Sequence, residues 1–180
     1  MEKIKNNEFN ILTNDPSFTA WGFAVIDKQS NIIRSGCIKT EPEHKKLRIR
    51  AADDRTRRAR EIVQGLLTLI QTHDIKLILS ELPHGSQNAQ AAVMIGMVAG
   101  IVVSIGECLN IPVEFYSEQD SKKTVLGKKA ATKTDMVEKI NKLYSVRWRN
   151  IKYVDEAVAD AIAVHYTAKQ QSQLIKMMTK

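Results

Sequence analysis

The residues with the clearest chemical potential in this sequence are four carboxylates. Asp15 and Glu81 each follow a short apolar run, and Glu156 and Asp160 lie four residues apart in a largely apolar segment near the C-terminus. Carboxylates that leave water are costly unless a cation neutralises them. Because the chain carries a formal net charge of +7, hard divalent cations are the natural counterions and nucleic acid is the natural substrate. These residues predict a metal site that acts on nucleic acid.

Each acid also has a structural interpretation. An aspartate before a proline is usually a turn former, as Asp15 would be, and a glutamate after a strand, such as Glu81, usually marks its exit to solvent. Asp155 suits a helix N-cap, and Glu156 suits the first helical turn. Asp160 is different, because its neighbours are alanine, valine and isoleucine, and a buried acid needs a partner. The acids indicate a site only as a set.

The elements that must position these acids follow from the hydrophobic periodicity. It predicts strands at 9–14, 19–27, 32–40, 75–80 and 111–116, and helices at 55–73, 88–109 and 155–168, with a further helix after a capping box at 132–135. Asp53 or Asp54 is the expected N-cap of the first helix. We expect one α/β domain over 1–180, with an ordered core at about 9–168 and a frayed tail. Its mixed five-stranded sheet combines a three-stranded antiparallel meander with parallel strands and is flanked by helices.

This topology lets the carboxylates converge. The first and fourth strands can lie side by side, so that Asp15 and Glu81 meet at one edge, and the i, i+4 spacing puts Glu156 and Asp160 on one helix face. Four converging carboxylates repel one another. Two divalent ions about 4 Å apart would resolve the repulsion and supply two-metal phosphodiester hydrolysis. Oxygen ligands favour Mg²⁺, with Mn²⁺ as a substitute.

Composition favours a cytoplasmic protein that does not enter a membrane. Cys37 and Cys108 form no motif and are expected to be reduced thiols, and the N-terminus is too polar for a signal peptide. The uncharged segment 91–106 contains a G-x-x-x-G pattern at Gly96 and Gly100, which pairs helices in membranes. The segment is shorter than the roughly 20 residues that span a bilayer. We expect a helix that buries its apolar surface within protein.

The acids and their elements together resemble the RuvC-type Holliday-junction resolvases of the ribonuclease H-like superfamily, including their phage relatives. The resemblance extends over about 9–168. It matches Asp15 to the family's catalytic aspartate, Glu81 to its second acid, and the helix around Asp160 to its closing helix. It implies a homodimer that binds a four-way DNA junction and makes paired nicks, with Mg²⁺, two ions and four acids in each subunit. The source would be a bacterium or a phage.

Three positions depart from the family pattern. An acid or histidine is common three residues before the last aspartate, and this chain has Ala157 there. Glu156 is the expected replacement, with Asp155 as the runner-up. Asn14 stands where an apolar residue is common, and only His84 is available after the second acid, where many members have an aromatic residue that wedges the junction.

Basic residues near the acids predict DNA contacts. The lysines are Lys122, Lys123, Lys128, Lys129 and Lys133, in a segment that resembles the family's basic DNA-facing segment. His84 is either a DNA contact or a structural histidine. An arginine cluster at 48–60 is ambiguous, because acids lie close by in the sequence. Helix 88–109 is either a dimer interface or ordinary core.

Three functions follow from these observations. The leading hypothesis is a metal-dependent, structure-selective endonuclease that resolves four-way junctions. A ribonuclease of the same fold, acting on RNA–DNA hybrid or structured RNA, is the first alternative. A non-catalytic junction-binding protein is the second, since Asn14 and Ala157 depart from the family pattern.

Overall fold

The computed structural model describes residues 9–43, 48–86, 88–128 and 130–178. Its centre is a five-stranded sheet of order β3-β2-β1-β4-β5. The strands are β1 Asn10–Asp15, β2 Ala20–Asp27, β3 Ile32–Lys39, β4 Ile75–Leu82 and β5 Val113–Ser117. The helices are α1 Ala51–His73, α2 Ala89–Leu109, α3 Glu118–Leu126, α4 Lys133–Leu143, α5 Lys152–Gln171 and α6 Gln173–Met178.

The pairing of the strands confirms the expected fold class. β1 pairs antiparallel with β2 and parallel with β4, and β4 pairs parallel with β5. The antiparallel meander and the central β1–β4 pair are therefore both as predicted. Because β1 and β4 run in the same direction, their carboxyl ends share one edge of the sheet.

Alternation along β2 explains why helices cover both faces. Phe23 and Val25 pack in a cluster with α1 and α2, whereas Ala24 and Ile26 pack in a second cluster with α4 and α5. Trp21 is fully buried in the first cluster. Each large apolar side chain buried in this way contributes about 1.5–3 kcal/mol. The sheet is consequently held from both sides at the edge where the acids lie.

Asn14 has a structural role that explains its departure from the family pattern. Its Nδ2 donates to the Leu79 carbonyl oxygen at 3.1 Å, and its Oδ1 accepts from Trp21 Nε1 at 3.0 Å. The buried amide thus ties β1 to both neighbouring strands, and its hydrogen bonds offset the cost of burying it.

The arginine cluster is also largely structural. Arg58 is buried, donates to the Phe18 carbonyl oxygen at 2.9 Å and to Thr40 Oγ1 at 2.8 Å, and lies over the Phe18 ring. Arg57 pairs with Asp54 and Glu61. Arg58 fixes the β1–β2 connection just after Asp15.

Two helices differ from the sequence prediction. α3 occupies a segment for which the periodicity predicted no helix, and α6 forms where a frayed tail was expected. Ile175 explains the second difference, because it is only 4% exposed and packs in a cluster with Leu77 and Leu79. The apolar contact compensates for ordering the tail.

The expected helix caps were wrong at two positions. α1 begins at Ala51 with Arg50 as N-cap, so Asp53 and Asp54 lie in its first turn. α5 begins at Lys152 with Ile151 as N-cap, so Asp155 is also inside the helix. The capping box between Thr132 and Asp135 is present at the start of α4, as predicted.

α2 is the one helix in the described ranges that is long and apolar enough to cross a membrane. Only 22% of its most apolar 18-residue stretch is buried. The buried side, which includes Val98, Val102 and Ile105, packs in the cluster with Leu12 and Ile78 of the sheet. The opposite side is exposed.

Candidate active site

Asp15 is the last residue of β1, in the centre of the sheet. Burial and the nearby carboxyls of Asp160 and Glu118 raise the pKa of Asp15 to about 7, against the opposing effect of the Lys133 ammonium. A carboxyl of this kind ionises fully near neutral pH only if more positive charge arrives.

Glu81 lies on the neighbouring strand β4, opposite Tyr116 of β5. Burial, followed by the carboxyls of Asp15 and Asp160, raises the pKa of Glu81 to about 9. The structure therefore brings Asp15 and Glu81 to the same sheet edge, within electrostatic range of each other.

α5 adds Asp160 to this edge by a very close approach to β2. A Cβ atom at Gly22 would overlap the carbonyl oxygen of Ala157, so the helix backbone touches the strand backbone. Gly22 is the register partner of Asp15. The side chain of Asp160 is left only 15% exposed, and burial raises its pKa although Lys133 acts to lower it.

One cation lies among these acids. Lys133 is the first residue of α4, and its Nζ donates to Asp160 Oδ2 at 3.2 Å. Partial burial acts to lower the pKa of Lys133, but the charges of Asp160, Asp15 and Glu156 outweigh it and raise the pKa. A single ammonium cannot balance three or more carboxylates, so the cluster attracts further positive charge.

The two candidates for the fourth acid are placed differently. Glu156 is half-buried on α5, one turn before Asp160, and interacts with the charge of Lys133. Asp155 uses its Oδ1 to accept a hydrogen bond from the Arg149 backbone N–H at 2.9 Å, which secures the segment before α5. Ala157 packs against Gly22 and is 5% exposed.

Comparison with known proteins identifies the family of this chain. The family described as crossover junction endodeoxyribonuclease RuvC matches residues 11–168. The chain belongs to this RuvC family. A relative from Protochlamydia amoebophila is 28% identical over 88% of this chain and 89% of its own length, and one from Idiomarina loihiensis is 29% identical over 93% and 91%. Both relatives are named crossover junction endodeoxyribonuclease RuvC.

Solved structures share the fold. RuvC of T. thermophilus in complex with a Holliday junction substrate has a TM-score of 0.70 at 18% identity and covers 95% of this chain and 97% of its own. The yeast mitochondrial Holliday junction resolvase has a TM-score of 0.60 at 12% identity and covers 94% and 84%. The ribonuclease H-like architecture expected from the sequence is thus the observed one.

The basic residues that were expected to contact DNA lie mainly on and just after α3 in this RuvC family member. Lys122 and Lys123 lie on α3, and Lys122 Nζ pairs with Glu118 Oε1 at 2.5 Å. Lys128 is exposed just after α3, Lys133 contacts Asp160, and Lys129 lies outside the described residues. His84 is exposed, with its Nδ1 3.5 Å from Glu118 Oε2.

Glu118 is the residue that sequence reasoning missed. It is the first residue of α3, pairs with Lys122 and His84, and raises the pKa of Asp15, Glu81 and Asp160. It directly follows β5, which is parallel to β4. The rule that found Glu81 at the end of β4 would have found Glu118 if it had been applied to the next parallel strand.

The donor set suits the metal dependence of the RuvC family. In the parts of the chain that the structure describes, no three acidic, histidine or cysteine side chains are already grouped to hold one ion. The acids are instead coupled through space: burial is the first cause of the raised pKa values of Asp15, Glu81 and Asp160, and neighbouring carboxyls add to it. Oxygen donors with excess negative charge fit a hard divalent cation.

Proposed function

We propose that this chain is a Holliday-junction resolvase, a metal-dependent endonuclease that makes paired nicks in four-way DNA junctions. The observation that carries the proposal is the crowding of Asp15, Glu81 and Asp160, from three separate elements, beside the ammonium of Lys133. Membership of the RuvC family supports phosphodiester hydrolysis as the chemistry of this cluster.

We assign the metal-holding role to the four carboxylates. Asp15 and Asp160 would bind the ions, Glu81 would bridge or position them, and Glu156 would complete the set, with Asp155 as the runner-up. Two Mg²⁺ ions per subunit, replaceable by Mn²⁺, would supply an activated water and stabilise the leaving oxygen. The commitment of Asp155 to the Arg149 N–H supports Glu156 over Asp155.

DNA binding is assigned to the lysines beside the acids. Lys122, Lys123 and Lys128 lie on or after α3, and Lys133 is already at the acids. Lys129, outside the described residues, and His84 belong to the same proposed set. Neutralising phosphates with lysines makes binding salt-dependent.

We propose that the exposed side of α2 pairs two copies of the chain. Val93 and Val103 are exposed, and an added Cβ at Gly96 or Gly100 would meet open space. Small residues between exposed valines permit close approach of a second helix. Since the other side of α2 packs on the sheet, a second copy in the cytoplasm accounts for its apolar surface better than a membrane does.

Cleavage of a mobile four-way junction, with and without Mg²⁺, tests the proposed function. We expect paired nicks that require the ion, and Asp15→Asn should reduce the rate by at least about 10²-fold, as the loss of a principal electrostatic group does. Asp120→Asn is the matched control, because Asp120 is exposed on α3 and its carboxylate bonds to Ser117.

The same assay separates the alternatives. Full-rate cleavage by a folded Asp15→Asn variant would overturn the assigned mechanism. Faster cleavage of an RNA–DNA hybrid than of the junction would favour a ribonuclease. Tight junction binding without nicking, in either Mg²⁺ or Mn²⁺, would favour a non-catalytic binding protein.

A further inference from the structure

A basic groove runs along the outer edge of the sheet. β3 is an edge strand with two adjoining cavities beside it. One, of about 560 Å³, lies between β3, α1 and the start of α5, and the other, of about 540 Å³, lies between β3 and the segment that precedes α5. The two cavities share Arg34, Ser35 and Arg149, so they form one continuous groove. Arg147 lines one end, and Tyr153 lines the other.

Three guanidinium groups in this groove are available for a ligand. Arg34, Arg147 and Arg149 are all exposed. Among the described residues, none of the three forms an ion pair with a carboxylate, in contrast to Arg57 and Arg50 on and before α1. Arginines present planar donor forks that match phosphate oxygens. The three arginines lie on β3 and on the segment before α5, so donors from two elements line the groove.

The groove begins close to the candidate active site. Across the sheet, Asp15 is in register with Gly22, and Gly22 is in register with Cys37, which lines the groove. Two strand spacings amount to about 10 Å. Burial, followed by the charge of Asp15, raises the pKa of Cys37 to about 11, which independently places the groove within electrostatic range of the acids. Successive phosphates of one DNA strand could bridge that distance.

We propose that this groove binds the phosphate backbone of the duplex arm that flanks the cleaved strand. The inference rests on the proposed function, since it assumes a DNA substrate at the acids. Charge complementarity selects the occupant: three guanidinium groups that line one groove, none paired with a carboxylate among the described residues, match a polyanion. An acidic peptide added to the β3 edge would also meet positive charge. Its binding would leave DNA affinity unaffected by these arginines, so the test below distinguishes the two.

The test is the salt dependence of junction binding. Binding is measured in an Asp15→Asn background, which slows cleavage. There, Arg147→Gln combined with Arg149→Gln should lower the slope of log K against log salt by about 2 per subunit, because each phosphate contact contributes about 0.9. Affinity at moderate salt should fall by about tenfold or more. Arg34→Gln, on the other side of the groove, should lower the slope by about 1. Because Arg34 lies on β3, this variant still tests the proposal if the Arg147→Gln/Arg149→Gln protein does not fold.

The matched control is Lys76→Gln combined with Lys176→Gln. These exposed lysines lie at the start of β4 and on α6, away from the carboxyl ends of the central strands. A slope and affinity equal to those of the control would overturn the proposal and leave the arginines as charges that only keep other strands off the β3 edge.

Cleavage distinguishes this failure from failure of the proposed function. With Asp15 intact, the arginine variants should need more enzyme than the wild type to reach half-maximal nicking of the junction, in proportion to the affinity that they lose. A wild-type protein that never nicks would refute the proposed function. The binding comparison would still decide whether the groove holds DNA.

Discussion

At the scale of single residues, Glu118 is the acid that sets the charge seen by an approaching phosphate. It holds Lys122 Nζ at 2.5 Å and His84 Nδ1 at 3.5 Å, which are two of the groups assigned to DNA. The same carboxylate also acts on Asp15 and Glu81. If Lys122 binds DNA as proposed, Glu118 competes with DNA for it, and Glu118 also adds to the repulsion among the acids.

Glu118→Gln should tighten junction binding severalfold at low salt, because Lys122 is released and a negative charge is lost. It should also shift the acidic limb of the pH–rate profile to lower pH, since Glu118 raises the pKa of Asp15 and Glu81. Binding titrations and rates measured across pH check both effects. Asp120→Asn removes the same charge from the same helix, and an equal shift in that variant would refute a specific role for Glu118.

The residues at the candidate site differ in how far they could be predicted from the sequence. Asp15, Glu81 and Asp160 could be predicted because each acid interrupts or ends an apolar pattern. Asn14 looked anomalous only because its partners, Leu79 and Trp21, come together through the fold. Hydrogen bonds between distant segments leave no periodic signal.

At the scale of elements, the contact between α5 and β2 decides where Asp160 lies. Gly22 permits that contact, because a Cβ there would overlap the Ala157 carbonyl oxygen. The strands and the long helices were predictable from their apolar patterns. α3 was not, since only Ser121 and Val125 of its residues are buried and the pattern is too sparse to see.

Gly22→Ala should destabilise the fold by about 1–3 kcal/mol through overpacking, and lower Tm by about 3 °C or more at this chain length. Junction cleavage should fall as well, because α5 moves away from Asp15. Thermal unfolding and cleavage rates measure the two effects. Gly36→Ala is the control, since its Cβ would meet only the Phe23 ring at 3.2 Å. Equal losses in both variants would contradict a special role for the α5 contact.

The exposed side of α2 leads to a prediction about the oligomeric state of the protein. Val103→Glu should convert a dimer into monomers, because it places a charge in the proposed apolar interface. Sedimentation velocity measures the change directly. Leu143→Glu replaces another exposed apolar residue, at the end of α4, and should leave the dimer intact. A Val103→Glu protein that stays dimeric would place the interface elsewhere.

At the scale of the whole molecule, the acids make stability depend on pH and on metal. The folded-state pKa of Asp15 is about 7 and that of Glu81 about 9, both above the ordinary values of 3.8 and 4.5 for these side chains. The native state therefore binds more protons than the unfolded chain, and stability falls as pH rises through this window. Positive charge supplied by a divalent ion reverses the loss.

Tm measured in a chelator should therefore decrease between pH 6.5 and 9, and Mg²⁺ should raise it by about 3 °C or more at the upper end, equivalent to roughly 1 kcal/mol. The window avoids His165, whose pKa burial lowers to about 4, so that its destabilising effect falls below pH 6.5. Asp15→Asn combined with Glu81→Gln should flatten the profile. A flat profile in the wild type would contradict the electrostatic account of the site.

The contact between Lys133 and Asp160 should couple the binding of DNA to the binding of metal ions. The Lys133 ammonium contacts Asp160, yet it is also assigned to DNA, and it cannot serve both at once. A phosphate that draws Lys133 away leaves Asp160 free for an ion, and an ion that displaces Lys133 frees it for a phosphate. The two ligands should then bind with positive cooperativity, and linkage requires the enhancement to be reciprocal. Calorimetric Mg²⁺ affinities with and without junction, compared in wild type and Lys133→Met, would measure that coupling, and equal coupling in both would exclude Lys133 as its source.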